Sequence, residues 1–230
     1  MLRNTFVISF YSIVLGFPAP IILALLINEV RRTWFKRSVQ TITYLPHFIS
    51  LVVVCGMIRD FTSNTGVISV FAAWLSGSRP ITMLNEPGLF VPIYVSSGIW
   101  QEVGWGSIVY LSAISNIDPQ LYEAAVVDGA GRFRQMLHVT LPALVPIILT
   151  LLILRMGSVL SVGYEKTILL VNPITTEAGE VISSYVYRRG LIDRSWSFAS
   201  AVGLFNSVIN LFFLIGTNYV SKKAGEVALW

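Results

Sequence analysis

Two ionisable residues, Glu102 and Arg155, stand inside long apolar runs and are the first candidates for chemistry in this 230-residue chain. A charge at the centre of a membrane-crossing helix costs about 2.5–3.5 kcal/mol on insertion scales, so each needs a partner or a purpose. Counted from the ends of their runs, both fall near the middle or outer half of a crossing, close enough in depth to pair. Two readings stay open: a structural ion pair between neighbouring helices, or a polar element of a path through the membrane. Around Glu102 the stretch GIWQEVGWGSIVY adds Trp100, Gln101 and Trp105. Aromatic faces beside amide and carboxylate groups suit sugar rings, although Trp in such helices also serves for packing and interfacial anchoring. Other chemistries lack their residues. There is no GxxxxGK[ST] loop to cradle phosphate, so any ATP is hydrolysed by another chain. His47 and His138 have no cysteines or acidic cluster at zinc-ligand spacing. Cys55, the lone cysteine, lies in an apolar run and reads as a small buried hydrophobe. No nucleophile, base and acid stand out together.

The elements that position these residues follow from composition. With 54% hydrophobic and only 12% charged residues and a mean hydropathy of +0.71, the chain cannot clothe one core in a water-compatible surface, which makes it an integral membrane protein. Its pI near 9.3 does not point to nucleic acid, because the basic residues cluster at the ends of apolar runs as interfacial anchors. The spacing predicts five helical spans, at about 5–27, 41–58, 90–114, 142–162 and 198–220. Pro18 and Pro20 should kink the first. A short interfacial helix is expected over Val67–Leu75, anchored by Trp74. Arg31, Arg32, Lys36 and Arg37 crowd into one connection, a cytoplasmic signature. The stretch from Gly163 to Trp196 reads as an external connection, polar in patches, with Tyr164, Glu165 and Lys166 at the outer end of the fourth span.

Between the third and fourth spans lies residues 116–141, with the strongest helix signals in the chain. Asp118 reads as an N-cap, Pro119 as the first helical residue, and Gly129 as a left-handed stop. A second short helix, Arg132 to Val139, is expected to lead to Pro142. Small side chains at Ala124, Ala125 and Ala130 permit close approach of another protein, and Glu123, Asp128 and Arg132 supply a charged rim.

Glu123-Ala124-Ala125, then Gly129, then Val139, Leu141 and Pro142 resemble the EAA motif of the permease subunits of binding-protein-dependent ABC importers, with Val139 in place of the more usual Ile. The resemblance implies an all-α, polytopic membrane protein with the MetI-like permease fold, and a single transmembrane domain over residues 1–230. It also implies that the 116–141 loop is a cytoplasmic coupling element inserted into an ATPase subunit, with Glu123, Ala124, Ala125, Asp128, Gly129, Arg132, Leu141 and Pro142 at the contact. No cofactor is expected on this chain itself; ATP and Mg would sit on two partner ATPases. A second, homologous permease would complete a heterodimeric pathway in the bacterial-type cytoplasmic membrane, and an extracytoplasmic solute-binding protein would deliver substrate.

SVGYEKTILLVNP, VYRRGL, TYLPHFIS, GFPAP and AVGLFNSVIN are similar to the branch of that family that imports oligosaccharides and polysaccharide fragments. Substrate-path candidates are then Trp100, Gln101, Glu102, Trp105, Arg155, Tyr164, Glu165 and Lys166. Five spans with the coupling loop inside place the N-terminus outside, whereas relatives carry a further N-terminal span; the expectation is a chain lacking the first of six. Amino acid or peptide import remains an alternative, because the coupling motif is shared across substrates. An ion-coupled secondary transporter is a second, with Glu102 as its ion site.

Overall fold

The computed structural model describes residues 1–223, and among them every regular element is helical. The tail beyond Lys223 lies outside the described residues. In chain order the helices are α1 (Leu2–Val14), α2 (Pro18–Glu29), α3 (Thr33–Tyr44), α4 (Leu51–Phe61), α5 (Val67–Ser76), α6 (Pro87–Ser115), α7 (Pro119–Val127), α8 (Arg132–Gln135), α9 (Leu141–Met156), α10 (Tyr164–Leu170), α11 (Thr176–Gly179), α12 (Ile182–Tyr187) and α13 (Trp196–Lys223). Three stretches are long and apolar enough to cross a membrane: Leu2–Glu29, Arg132–Met156 and Trp196–Lys223. A fourth crossing is obtained if the broken pair Thr33–Phe48 and Leu51–Phe61 counts as one.

The first expected span is interrupted at Leu15–Phe17, where Pro18 and Pro20 open the next helix, as their missing N–H groups require. The second is not a single helix. A 3₁₀ turn over Leu45–Phe48 holds Pro46, and a new helix starts at Leu51, capped by the Ser50 hydroxyl accepting from the Val53 N–H at 3.4 Å. The third, α6, is 29 residues long and continuous through Pro92. With Gln101 and Glu102 near its centre, it is not among the stretches apolar enough to cross a membrane. The expected 67–75 helix forms as α5, with Trp74 exposed and Gly77 closing it at φ +65°.

The fourth span is shifted toward the N-terminus. Arg132–Met156 runs as one helical rod of 25 residues, so the separate 132–139 helix does not exist. A π-turn over Met136–Thr140 makes the join: the Leu141 N–H reaches back five residues to the Met136 carbonyl. This extra residue in the turn accommodates Pro142, which cannot donate to the carbonyl four residues before it. At the other end the helix stops at Met156, not at 162, and Gly157 follows. A Cβ there would meet Leu214 Cδ1 at 2.6 Å.

The chain forms two compact units. The first comprises Met1–Gly16, Phe48–Ile99 and Val159–Ile209. Its core packs Ile8, Val54, Cys55, Phe90, Tyr94, Leu170 and Val181. Here the stretch 163–196, expected as a connection, is folded against the rest of the unit. Short helices α10, α11 and α12 carry Leu170, Val181 and Ile182 into the core, each element too short to register as a span. They are tied to α1 by side chain to backbone bonds: Thr5 Oγ1 accepts from the Ile182 N–H at 3.0 Å, and Asn4 Nδ2 donates to the carbonyls of Glu177 and Glu180.

The second unit comprises Phe17–His47, Trp100–Ser158 and the chain from Asn210. Its core is Ile21, Ala24, Tyr110, Ile114 and Leu144. The buried face of α6 in this unit reads Gln101, Gly104, Ser107, Tyr110 and Ile114, a helical spacing. Gly104 is forced: a Cβ there would lie 2.0 Å from the Thr43 carbonyl oxygen of α3. Gly104→Ala should therefore destabilise by about 3 kcal/mol through overpacking. Gly56→Ala in α4, where a Cβ meets nothing within 4 Å, should be neutral or stabilising by roughly 0.5–1 kcal/mol. Thermal unfolding of the two purified variants checks the opposite signs.

Candidate functional site

The hairpin between α6 and α9 is built by its caps. Asp118 Oδ1 accepts from the Gln120 N–H at 2.9 Å and Pro119 occupies the first helical position of α7. At the other end Gly129 takes φ +75°, the Gly129 N–H bonds to the Val126 carbonyl at 3.0 Å and the Ala130 N–H to the Ala125 carbonyl at 2.8 Å. These paired bonds close a Schellman turn and satisfy the carbonyls that α7 leaves open. Gln135 Nε2 donates to the Ala130 carbonyl at 2.8 Å, and Tyr122 and Thr140 share a hydroxyl bond at 3.0 Å. The hairpin is thereby fastened to the base of the Arg132–Met156 rod.

Within this unit α7 buries nothing. Leu121, Val126, Val127 and Phe133 are 52%, 60%, 86% and 69% exposed, an apolar surface on a hairpin whose own geometry is already satisfied. Of the expected contact residues, Glu123, Ala124, Asp128, Gly129 and Pro142 are exposed, and Ala125 and Leu141 are half-buried. Among the described residues Glu123 and Asp128 form no ion pair. Arg132 turns away from that rim to the end of α2, its guanidinium 3.5 Å from the Glu29 carbonyl oxygen and 4.0 Å from the Glu29 carboxylate. A cation is well placed where helix carbonyls run out.

Glu102 and Arg155 do not meet. The Glu102 carboxylate lies 3.0 Å from His47 Nδ1 instead, and the imidazole stacks on Trp105 with centroids 4.5 Å apart and planes 2° from parallel. Arg155 sits exposed in the last turn of α9, where the helix dipole stabilises it, and among the described residues forms no ion pair. Glu102 and Trp105 are exposed on α6, whereas Gln101 is buried; Trp100 is 44% exposed. The contact is an ion pair when the imidazole is protonated and a hydrogen bond from Nδ1–H otherwise. His47 is the residue that sequence reasoning missed. The available signal was Pro46-His47 at the foot of a predicted span, where a proline-induced break turns a side chain sideways.

In the first unit the three candidates of α10 part company. Tyr164 and Glu165 are exposed, whereas Lys166 is buried, its Nζ donating to the Tyr94 carbonyl at 2.9 Å and lying 4.7 Å from the Tyr94 ring centroid. A buried ammonium is tolerated because an oxygen and a π-face replace part of its hydration. Gly98 leaves the room: a Cβ there would be 3.3 Å from Nζ. Lys166 thus anchors α10 to α6 and does not present its charge to a passing solute. Beyond it, Arg188 pairs with Glu180, and Arg189 with Asp193 at 3.2 Å. The bond from Arg189 to the Tyr185 hydroxyl, with the Asp193 carboxylate beside it, raises the guanidinium pKa further, so it stays charged at any accessible pH.

Comparison with known proteins gives a consistent neighbourhood. Residues 16–225 match the family model described as binding-protein-dependent transport system inner membrane component. Protein LplB of Bacillus subtilis is 42% identical over the whole of this chain and 72% of its own length. The polygalacturonan/rhamnogalacturonan transport system permease protein YteP of the same organism is 43% identical with the same coverage. Among solved structures, a chain of a bacterial ABC transporter involved in import of the acidic polysaccharide alginate superposes with a TM-score of 0.91 at 46% identity, covering 96% of this chain and 78% of that one. The alginate transporter in complex with its alginate pentasaccharide-bound periplasmic protein gives 0.94 at 45% identity, covering 99% and 79%.

Two outcomes test the geometry. Asp118→Ala should cost about 1 kcal/mol of stability through loss of the cap. A double-mutant cycle over His47→Ala and Glu102→Gln should return a coupling of about 0.5–1 kcal/mol, the range for a partly exposed pair; the cycle over Arg155→Met and Glu102→Gln should return none.

Proposed function

The chain belongs to the family of binding-protein-dependent transport system inner membrane components, and from that membership we propose that it forms half of the pathway by which an ATP-driven importer takes up oligosaccharide or polysaccharide fragments. It is an integral membrane transport subunit and not an enzyme. ATP and Mg are assigned to two partner ATPase subunits, a second permease to the other half of the path, and delivery to an extracytoplasmic solute-binding protein. The cytoplasmic membrane of a bacterial-type cell is the setting. The saccharide assignment is supported by relatives named for polygalacturonan/rhamnogalacturonan and arabinooligosaccharides, and by the alginate transporters. The same relatives disfavour an amino acid, a peptide or ion-coupled transport.

The observation that carries the mechanism is the capped, apolar hairpin at the end of an unbroken rod. Leu121, Val126, Val127 and Phe133 offer a surface for the groove of an ATPase, and small residues at 124, 125 and 130 allow its backbone close. A rod of 25 residues spans about 37 Å at about 1.5 Å per residue. Displacement of the hairpin by closing ATPases is then transmitted along α9 as rigid-body motion, which alternately opens the pathway to either side. The work comes from the partner, and this chain converts it into a change of access.

With Cys55→Ser to remove the native thiol, Val127→Cys labelled by a thiol-directed photo-crosslinker should capture an ATPase subunit from the assembled importer. Leu121→Asp with Val127→Asp should abolish both the capture and ATP-driven uptake while leaving the permease in the membrane. Efficient labelling with no ATPase product would overturn the coupling assignment.

A further inference from the structure

A cleft of about 390 Å³ lies within the first unit, between α12 with the π-turn that continues it, the start of α10, and the first turns of α13. One wall is aromatic: Tyr164 and Tyr187 stack with centroids 5.0 Å apart and planes 18° from parallel. The opposing wall is one face of α13, where Trp196, Ala199, Gly203 and Asn206 recur at intervals of three and four residues. The small residues leave space, and the indole of Trp196, 60% exposed, stands at one end. Asn206, ten residues and about 15 Å further along the helix, closes the other. Its Oδ1 is buried and has no hydrogen-bond partner among the described residues. No charged side chain lines the cleft.

We propose that this cleft is a saccharide-binding subsite, in which pyranose rings lie with their C–H faces against the aromatic side chains while a ring hydroxyl donates to Asn206 Oδ1. The inference rests on the saccharide-import reading and adds a site to it. A buried amide oxygen without a donor is costly, so the natural occupant brings a donor. A lipid chain would fill the apolar walls but has none to offer. A saccharide matches both features, being apolar on its ring faces and rich in hydroxyl donors at its edges. Because the walls carry no charge, the site reads the ring and not a carboxylate, and acidic and neutral oligosaccharides bind it by the same contacts.

The test uses the fully assembled importer. ATP-driven uptake of alginate pentasaccharide, a galacturonate oligomer and a neutral oligosaccharide is measured first in proteoliposomes with the binding protein present. The transported probes, tritium-labelled, are then dialysed to equilibrium against the permease and ATPase complex in nanodiscs without binding protein. Trp196→Ala and Asn206→Leu should each weaken binding about tenfold, as loss of one aromatic or hydrogen-bonding contact implies, with basal ATPase activity and unfolding temperature unchanged. Wild-type uptake together with no measurable binding, or with binding indifferent to both substitutions, would overturn the subsite and leave the import reading standing. A rise in unfolding temperature on Asn206→Leu without loss of binding would assign the cleft to a lipid or a neighbouring helix. Uptake of none of the probes by the wild type would overturn both readings.

Discussion

A polypeptide that breaks its helices in an apolar surrounding must find new partners for every backbone group it frees, and the structure is arranged around that constraint. Each interruption carries its own remedy. The Ser50 hydroxyl caps α4 at the break after Phe48. Five-residue hydrogen bonding over Met136–Thr140 absorbs Pro142. The amide of Ile182, at the start of α12, is received by the Thr5 hydroxyl. In the absence of water these substitutions are obligatory, so residues that look functional by type serve the backbone. Lys166 is the clearest case, since a charge near the expected outer end of a span reads as a ligand until its oxygen partner is seen.

What was legible in the sequence divides along the range of the interaction. The caps of α7 are local: Asp118, Pro119 and Gly129 act on residues within a few positions, and the turn forms where those types place it. The presence of long apolar helices is also a property of composition. Breaks and pairings are not local. Pro46 could equally have kinked a continuous helix, and only the placement of Ser50 and the packing of Thr43 against Gly104 decide for interruption. Glu102 was singled out correctly as a charge in need of a partner, but depth alone chose Arg155, whereas the carboxylate meets a histidine 55 residues earlier in the chain. The packing of the 163–196 stretch was hidden for a similar reason. Window averages mix its charges with Leu170, Val181 and Ile182, which the short helices separate by face.

Family membership and physical reading reach the same place from different directions, and they constrain different things. Similarity over nearly the whole chain identifies a transport subunit, yet assigns no role to a residue. The structure of the hairpin supplies what similarity leaves out: the particular contacts that hold its shape. Both ends of α7 are closed by local hydrogen bonds, at Asp118 and at Gly129 with Ala130. The apolar side chains it leaves in solvent are those that a partner would cover.

The join between hairpin and rod is settled by backbone bonding at a proline. A π-turn makes the join, with the Leu141 N–H bonded to the Met136 carbonyl just ahead of Pro142. Bonds at Gln135 and Tyr122 further tie the loop to the same segment. The far end behaves differently: Gly157 ends the rod, and the chain from there to Gly163 is irregular. That irregular stretch is nonetheless held by its neighbours: Leu160 is buried, Ser9 Oγ donates to the Val159 carbonyl and Ser183 Oγ to the Val162 carbonyl.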